Sequence, residues 1–226
     1  MYSSKEISVF DIIGPNMIGP SSSHTAGALR IARLAANMVK KPIKHVTFVL
    51  YGSFAMTYKG HGTDRALLAG IMGYDTEDKR IKESFEYAKA EGLSYEFRTN
   101  KEEKDVHPNT VDIHITDEEG KETTVTGISV GGGRAEIKKI DGVEIDLSGD
   151  YHTVVIKHRD LTGVVAAITH ILSEFSINIA FMKLYRENRG AVAYSIIEAD
   201  DAIEGAVIEK IEELASVYQA FLVEKI

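Results

Sequence analysis

Four hydroxyls and an imidazole stand together in Gly19-Pro20-Ser21-Ser22-Ser23-His24-Thr25, just ahead of an amphipathic run. With the free N–H groups of a helix start they could hold a carboxylate or phosphate, and equally they are what a serine-rich helix cap requires. In Lys59-Gly60-His61-Gly62-Thr63-Asp64, glycines on both sides strip side-chain cover from His61. An accessible imidazole takes or gives a proton near neutral pH, with Lys59 or Asp64 placed to tune it. The same stretch also reads as a flexible loop whose Thr63 and Asp64 cap the next helix. Asn109, in His107-Pro108-Asn109, could hydrogen-bond a substrate, and turn chemistry explains it about as well. Gly131-Gly132-Gly133-Arg134 lacks the spacing of a dinucleotide fingerprint or a P-loop and reads as a turn.

Composition narrows the chemistry. The 226 residues contain no cysteine, which excludes disulfides, thiolate zinc sites, a cysteine nucleophile and any self-supplied iron–sulfur ligation. Twenty-six Lys plus Arg against 34 Asp plus Glu give a net charge of −8, which argues against a phosphate-backbone binder, so no nucleic-acid partner is expected. The histidines at 24, 45, 61, 107, 114, 152, 158 and 170 form no HExxH and no close carboxylate pairing, and no metal ligand is expected among them. A hydrolase built on Ser22, His61 and Asp64 lacks the GxSxG elbow. No apolar run is long enough to cross a bilayer, and the start, MYSSKEISVFDIIG, has no basic stretch followed by an apolar one. The expectation is a soluble, cytoplasmic protein without a membrane partner.

The elements that must carry these residues fall into two halves, divided at the polar stretch Asp146-Leu147-Ser148-Gly149-Asp150, giving domains 1–148 and 149–226. In the first, Leu29, Ala32, Ala36 and Val39 recur at helical spacing and predict a serine-capped helix over 26–40. A buried strand follows over 45–51, then a capped helix over 65–72 and another over 76–91 stopped by Gly92. Hairpins are expected about Glu119-Gly120 and Asp141-Gly142. The pattern implies an α+β domain with an antiparallel sheet covered on one side by helices. The second half reads strand 152–157, helix 163–174, strands 179–185 and 191–198, helix 206–216 and strand 219–225. That is βαββαβ, the ferredoxin-like split arrangement.

Taken together, IGPSSSHT at 18–25, YGSFAMTYKGHGTD at 51–64, HPNT at 107–110 and SVGGG at 129–133 resemble the β chain of iron–sulfur-dependent L-serine dehydratase. The second half resembles an ACT domain, a small module that often binds amino acids. The resemblance implies a dehydratase β-type domain, like the extra substrate-binding domain of some phosphoglycerate dehydrogenases, followed by the ACT domain. It implies a [4Fe–4S] cluster held by a cysteine-bearing α subunit, an open iron acting as Lewis acid on the departing hydroxyl, and conversion of L-serine to pyruvate and ammonia. By the same resemblance His61 is the base, with Lys59, Thr63 and Asp64 orienting it or the substrate. Ser22, Ser23, His24 and Thr25 hold the serine carboxylate, and Asn109 completes the pocket. Many relatives carry a second histidine where Gly62 stands here. In the ACT region Asp160 and Gly163 match the D-x-P-G ligand loop with Thr162 in place of proline, and Asn178 is expected to reach an effector across a homodimer of paired sheets. The other reading is a non-catalytic amino-acid sensor in which both domains bind effector.

Overall fold

A computed structural model of the chain describes residues 15–186 and 188–223. The stretch read for a leader, 1–14, and the end of the strand expected to reach Lys225 lie outside the described residues. Two compact units form, meeting in sequence between Ile137 and Lys138.

In the first unit a π-helical turn, Ser22–Gly27, runs into α1, Ala28–Asn37. The strand β1, Ile43–Tyr51, ends in a short helix, α2, Gly52–Thr57, and then α3, Thr63–Ile71. A 3₁₀ turn, Lys79–Glu83, precedes α4, Ser84–Ala90, which leads to β2, Ser94–Asn100. The strands β3, Thr110–Asp117, β4, Glu122–Gly131, β5, Arg134–Ile140, and β6, Val143–Leu147, complete a sheet of order β2-β1-β3-β4-β5-β6, and the chain leaves the first unit within β5. Alternation sets the sheet's inner face: Val46, Phe48 and Leu50 of β1 and Val111, Ile113 and Ile115 of β3 are buried. Leu29, Ile31 and Leu34 of α1 and Leu67 and Leu68 of α3 are buried as well. The two helices approach at Gly70, where a Cβ would stand 2.3 Å from the Leu29 carbonyl oxygen. Only glycine permits that approach.

Four expectations are corrected here. The helix expected to start at Ala26 is already wound at Ser22, so Ser22, Ser23, His24 and Thr25 lie inside it and only Ser21 caps, its Oγ accepting from the His24 N–H at 3.1 Å. The cap of α3 is Gly62, at φ 65°, not Thr63 or Asp64. The helix over 76–91 is broken by the 3₁₀ turn, because Asp78 accepts the Arg80 N–H and restarts the chain. The sheet is not purely antiparallel, since β2 joins β1 in parallel. That strand is an edge with mostly exposed residues.

The second unit contains β7, His152–Arg159, α5, Val164–Glu174, β8, Ile179–Arg186, β9, Val192–Ala199, α6, Gly205–Glu212, and β10, Val217–Val223, in the expected βαββαβ order. The strand order is β10-β7-β9-β8, with all three pairings antiparallel. One face packs Val154, Ile156 and Ile197 against Ile168, Leu172, Val207 and Ile211 of the helices. On the other, Asp141 at the tip of the β5–β6 hairpin meets Lys157 Nζ at 2.8 Å and Tyr194 Oη at 3.2 Å. Asp146 binds Lys138 at 2.7 Å and Lys183 at 3.1 Å. This hairpin therefore belongs with the second unit.

Candidate active site

Three of the sequence motifs converge on one pair of imidazoles. The His24 and His61 ring centroids are 4.7 Å apart, tilted by 54°. His24 is carried into place by the π-helical turn, and His61 by the segment between α2 and α3. Thr25 joins the two directly, its hydroxyl donating to the His61 carbonyl at 2.9 Å. Thr25 is thus an internal brace. Behind it, a Cβ on Gly19 would collide with the Thr25 side chain at 2.5 Å, and Gly19 itself has φ 129°.

His24 Nε2 lies 2.8 Å from Ser53 Oγ, its Nδ1 lies 3.5 Å from Ser21 Oγ, and Phe54 meets the ring edge-on at 5.3 Å. Burial pushes the His24 pKa below its ordinary value, and the neighbouring His61 adds to the effect. His24 is held neutral beside a second imidazole. The His61 Nδ1 is buried without a partner, as are Thr63 Oγ1 and Ser129 Oγ. Tyr74 Oη and Ser84 Oγ are buried without partners too, but the His61 nitrogen belongs to a touching imidazole pair, and a ligand there would supply its missing contact.

Asn109 stands just before β3 and is tied to β4. Its Nδ2 donates to the Ser129 carbonyl at 3.3 Å and its carbonyl accepts the Ser129 N–H at 3.0 Å. Ser129 in turn packs on the helix, where a Cβ on Gly27 would meet its Oγ at 2.1 Å. Arg30 reaches the Gly133 carbonyl at 3.0 Å, so the glycine triplet is a turn gripped by α1. Ser22 and Ser23 are half-buried beside His24.

The neighbours of His61 in its own segment differ in exposure and contacts. Lys59 is exposed with its ammonium 5.7 Å from the Tyr58 ring centroid. Asp64 accepts the Arg65 N–H at 2.8 Å, and burial pushes its carboxyl above the usual range against the pull of that hydrogen bond and of the Arg65 charge. Thr63 is fully buried, its N–H donating to the Tyr58 carbonyl at 2.8 Å. Sequence reasoning missed Ser53. Its signal is a serine directly after Gly52 at the end of a buried strand, where strand-to-helix turns present side chains.

In the second unit Asp160 accepts the Gly190 N–H at 2.9 Å and lies 3.7 Å from Arg186, so its carboxylate latches the β8–β9 turn. Gly163 caps α5 at φ 90° with open space where a Cβ would stand, and Asn178 is exposed. Among the described residues no three His, Asp or Glu side chains are gathered to hold a metal ion. No helix among them is long and apolar enough to cross a membrane.

A family model described as the serine dehydratase beta chain matches residues 8–139, and the ACT domain model matches residues 152–216. The chain is 45% identical over 212 residues to the probable L-serine dehydratase beta chain of Bacillus subtilis, covering 94% of this chain and 96% of that one. It is 41% identical over 195 residues to the L-serine dehydratase beta chain of Peptoniphilus asaccharolyticus, covering 86% and 88%. It is also 27% identical over 197 residues to the D-3-phosphoglycerate dehydrogenase of Bacillus subtilis, covering 86% of this chain and 37% of that protein.

Proposed function

The chain belongs to the serine dehydratase beta-chain family and is a subunit of a serine dehydratase, and from that premise we propose that it supplies the proton-handling half of an L-serine ammonia-lyase site. The other half is a cysteine-bearing α subunit that carries a [4Fe–4S] cluster. This chain has no thiolate to offer, so no cluster ligand is assigned to it. Its residues handle the substrate. We further read residues 1–148 as the dehydratase segment and 149–226 as the ACT domain, the β5–β6 hairpin being the part of the former that packs with the second unit, in a cytoplasmic protein.

β-Elimination from serine requires a base at the weakly acidic Cα proton and donors for the carboxylate. The proton passes to His61, whose ring is held by the Thr25–carbonyl brace and by the His24 ring. The C–H electron pair becomes the C=C bond as hydroxide leaves. The resulting enamine tautomerises to an imine and hydrolyses to pyruvate and ammonia. Ser22, Ser23 and Asn109 face the substrate carboxylate, while Lys59, Thr63 and Asp64 shape the segment that carries the base. The observation that carries this reading is the pair of touching imidazoles with an unpartnered buried nitrogen on His61.

The test is anaerobic pyruvate release from L-serine by this chain alone and after co-expression with a cysteine-bearing partner. Turnover only in the iron-bearing complex supports the split site. No turnover in a cluster-loaded complex leaves the sensor reading, which the likeness to a phosphoglycerate dehydrogenase favours, and serine binding by the isolated chain then becomes the deciding measurement. In the ACT domain the edge strand β8 exposes Phe181 and Leu184, and pairing of two copies along it would bring Gly163 and Asn178 to a shared effector site, with Asp160 latching the loop.

A further inference from the structure

We propose that Ser53 is a positioning residue whose hydroxyl, 2.8 Å from His24 Nε2, fixes the His24 ring and through it the orientation of His61. The inference rests on the reading of His61 as the base. Ser53 has no freedom of its own. Its N–H donates to the Pro108 carbonyl at 2.7 Å, and its carbonyl accepts the Thr57 hydroxyl at 2.8 Å. The preceding Gly52 sits at φ 49°, where a Cβ would lie 2.7 Å from the Pro108 oxygen, so the backbone that aims Ser53 is pressed against the His107-Pro108-Asn109 corner.

His24, by contrast, is held by little else that is directional. Its second ring nitrogen is at the outer limit of a hydrogen bond with Ser21, and Phe54 and His61 contact it as rings, which resist tilting but not rotation in the ring plane. The Ser53 bond is the short one. It also joins three stretches far apart in sequence: the helix turn with His24, the strand end with Ser53 and the corner at Pro108. A catalytic imidazole displaced by about 1 Å loses rate by up to roughly 10²-fold, so a residue that aims its neighbour is expected to act on kcat before KM.

The test uses the assembled enzyme and, separately, the full-length chain labelled for histidine side-chain NMR. In the enzyme, Ser53→Ala is expected to lower kcat about 10- to 100-fold with KM changed less than about threefold, and to move the acid limb of the kcat/KM profile. Ser53→Thr, which keeps the hydroxyl, is expected to restore most of the rate. In the labelled chain, Ser53→Ala should shift the ring-nitrogen signals of both His24 and His61. Near-normal kcat in Ser53→Ala, or His24 and His61 signals that do not move, overturns the proposal. If instead the loaded wild-type complex makes no pyruvate, the base assignment fails and the ring signals alone decide whether Ser53 orients the pair.

Discussion

In each unit a histidine is joined to a serine through its Nε2. His24 Nε2 lies 2.8 Å from Ser53 Oγ in the first, and His158 Nε2 lies 2.9 Å from Ser195 Oγ in the second. His158 is 1% exposed, and its Nδ1 donates to the Arg159 carbonyl at 2.7 Å, so both ring nitrogens are satisfied between β7 and β9. His24 has one short bond, one at 3.5 Å and an imidazole neighbour with an unpartnered nitrogen. Among the described residues every buried side-chain polar atom lacking a partner lies in the first unit. A completed hydrogen-bond set makes a histidine part of the scaffold. An incomplete one leaves capacity for a ligand, at a cost the surrounding core must offset.

The sharpest break in this comparison is kinetic. His61→Ala in the assembled enzyme is expected to lower kcat by about 10²- to 10⁴-fold, the scale of a lost general base, with unfolding by denaturant nearly unchanged. A variant within threefold of wild type would remove His61 from the mechanism. His158→Ala should do the reverse, costing about 2–4 kcal/mol because it opens a cavity and strands the buried Ser195 hydroxyl, while kcat of the folded complex stays near normal. Loss of turnover in a folded His158→Ala enzyme would erase the distinction between the two pairs.

A smaller effect probes the scaffold under the site. Gly70→Ala places a methyl 2.3 Å from the Leu29 carbonyl oxygen and 2.8 Å from Ala32 Cβ, at the crossing of α1 and α3. The gain in helix propensity, about 1 kcal/mol, works against overpacking of about 1–3 kcal/mol, so the net expectation is destabilisation near the lower end of that range. An unchanged or raised denaturation midpoint would show that the two helices separate easily, and that the histidine pair is not held by their packing.

How much of this was legible in the sequence differs between the units. The βαββαβ order could be read because its elements show their own periods and two of its turns carry a glycine, Gly163 and Gly190. In the first unit His24, His61 and Asn109 stood out by type and setting, and the structure does bring the two histidines together. Ser53 did not stand out, because its value comes from a backbone aimed by Pro108, a contact across 55 positions of chain that no local pattern encodes. For the same reason no local pattern shows that Thr25, read as a ligand-binding hydroxyl, donates to the His61 carbonyl, or that Asp160, read as an effector ligand, accepts the Gly190 N–H. The short α2 was hidden by its glycine-flanked setting, and β2 by its lack of a buried face.

The gentlest test uses protons. Because burial and then His61 lower the His24 pKa, the folded chain gives up its proton more readily than the unfolded chain. As pH falls below the ordinary value of 6.5 the unfolded state binds more protons, so stability is complete above that value and is lost as pH falls through the lower folded value. The effect is small, since His24 is only partly buried and solvent screens it. Denaturant midpoints measured from pH 7 down to pH 5 should therefore slope downward in the wild type and flatten in His24→Gln, whose amide keeps a polar atom near Ser53. An equal slope in both would mean that His24 pays no cost for its place beside His61, and that the incompleteness of the first pair is not what sets the two apart.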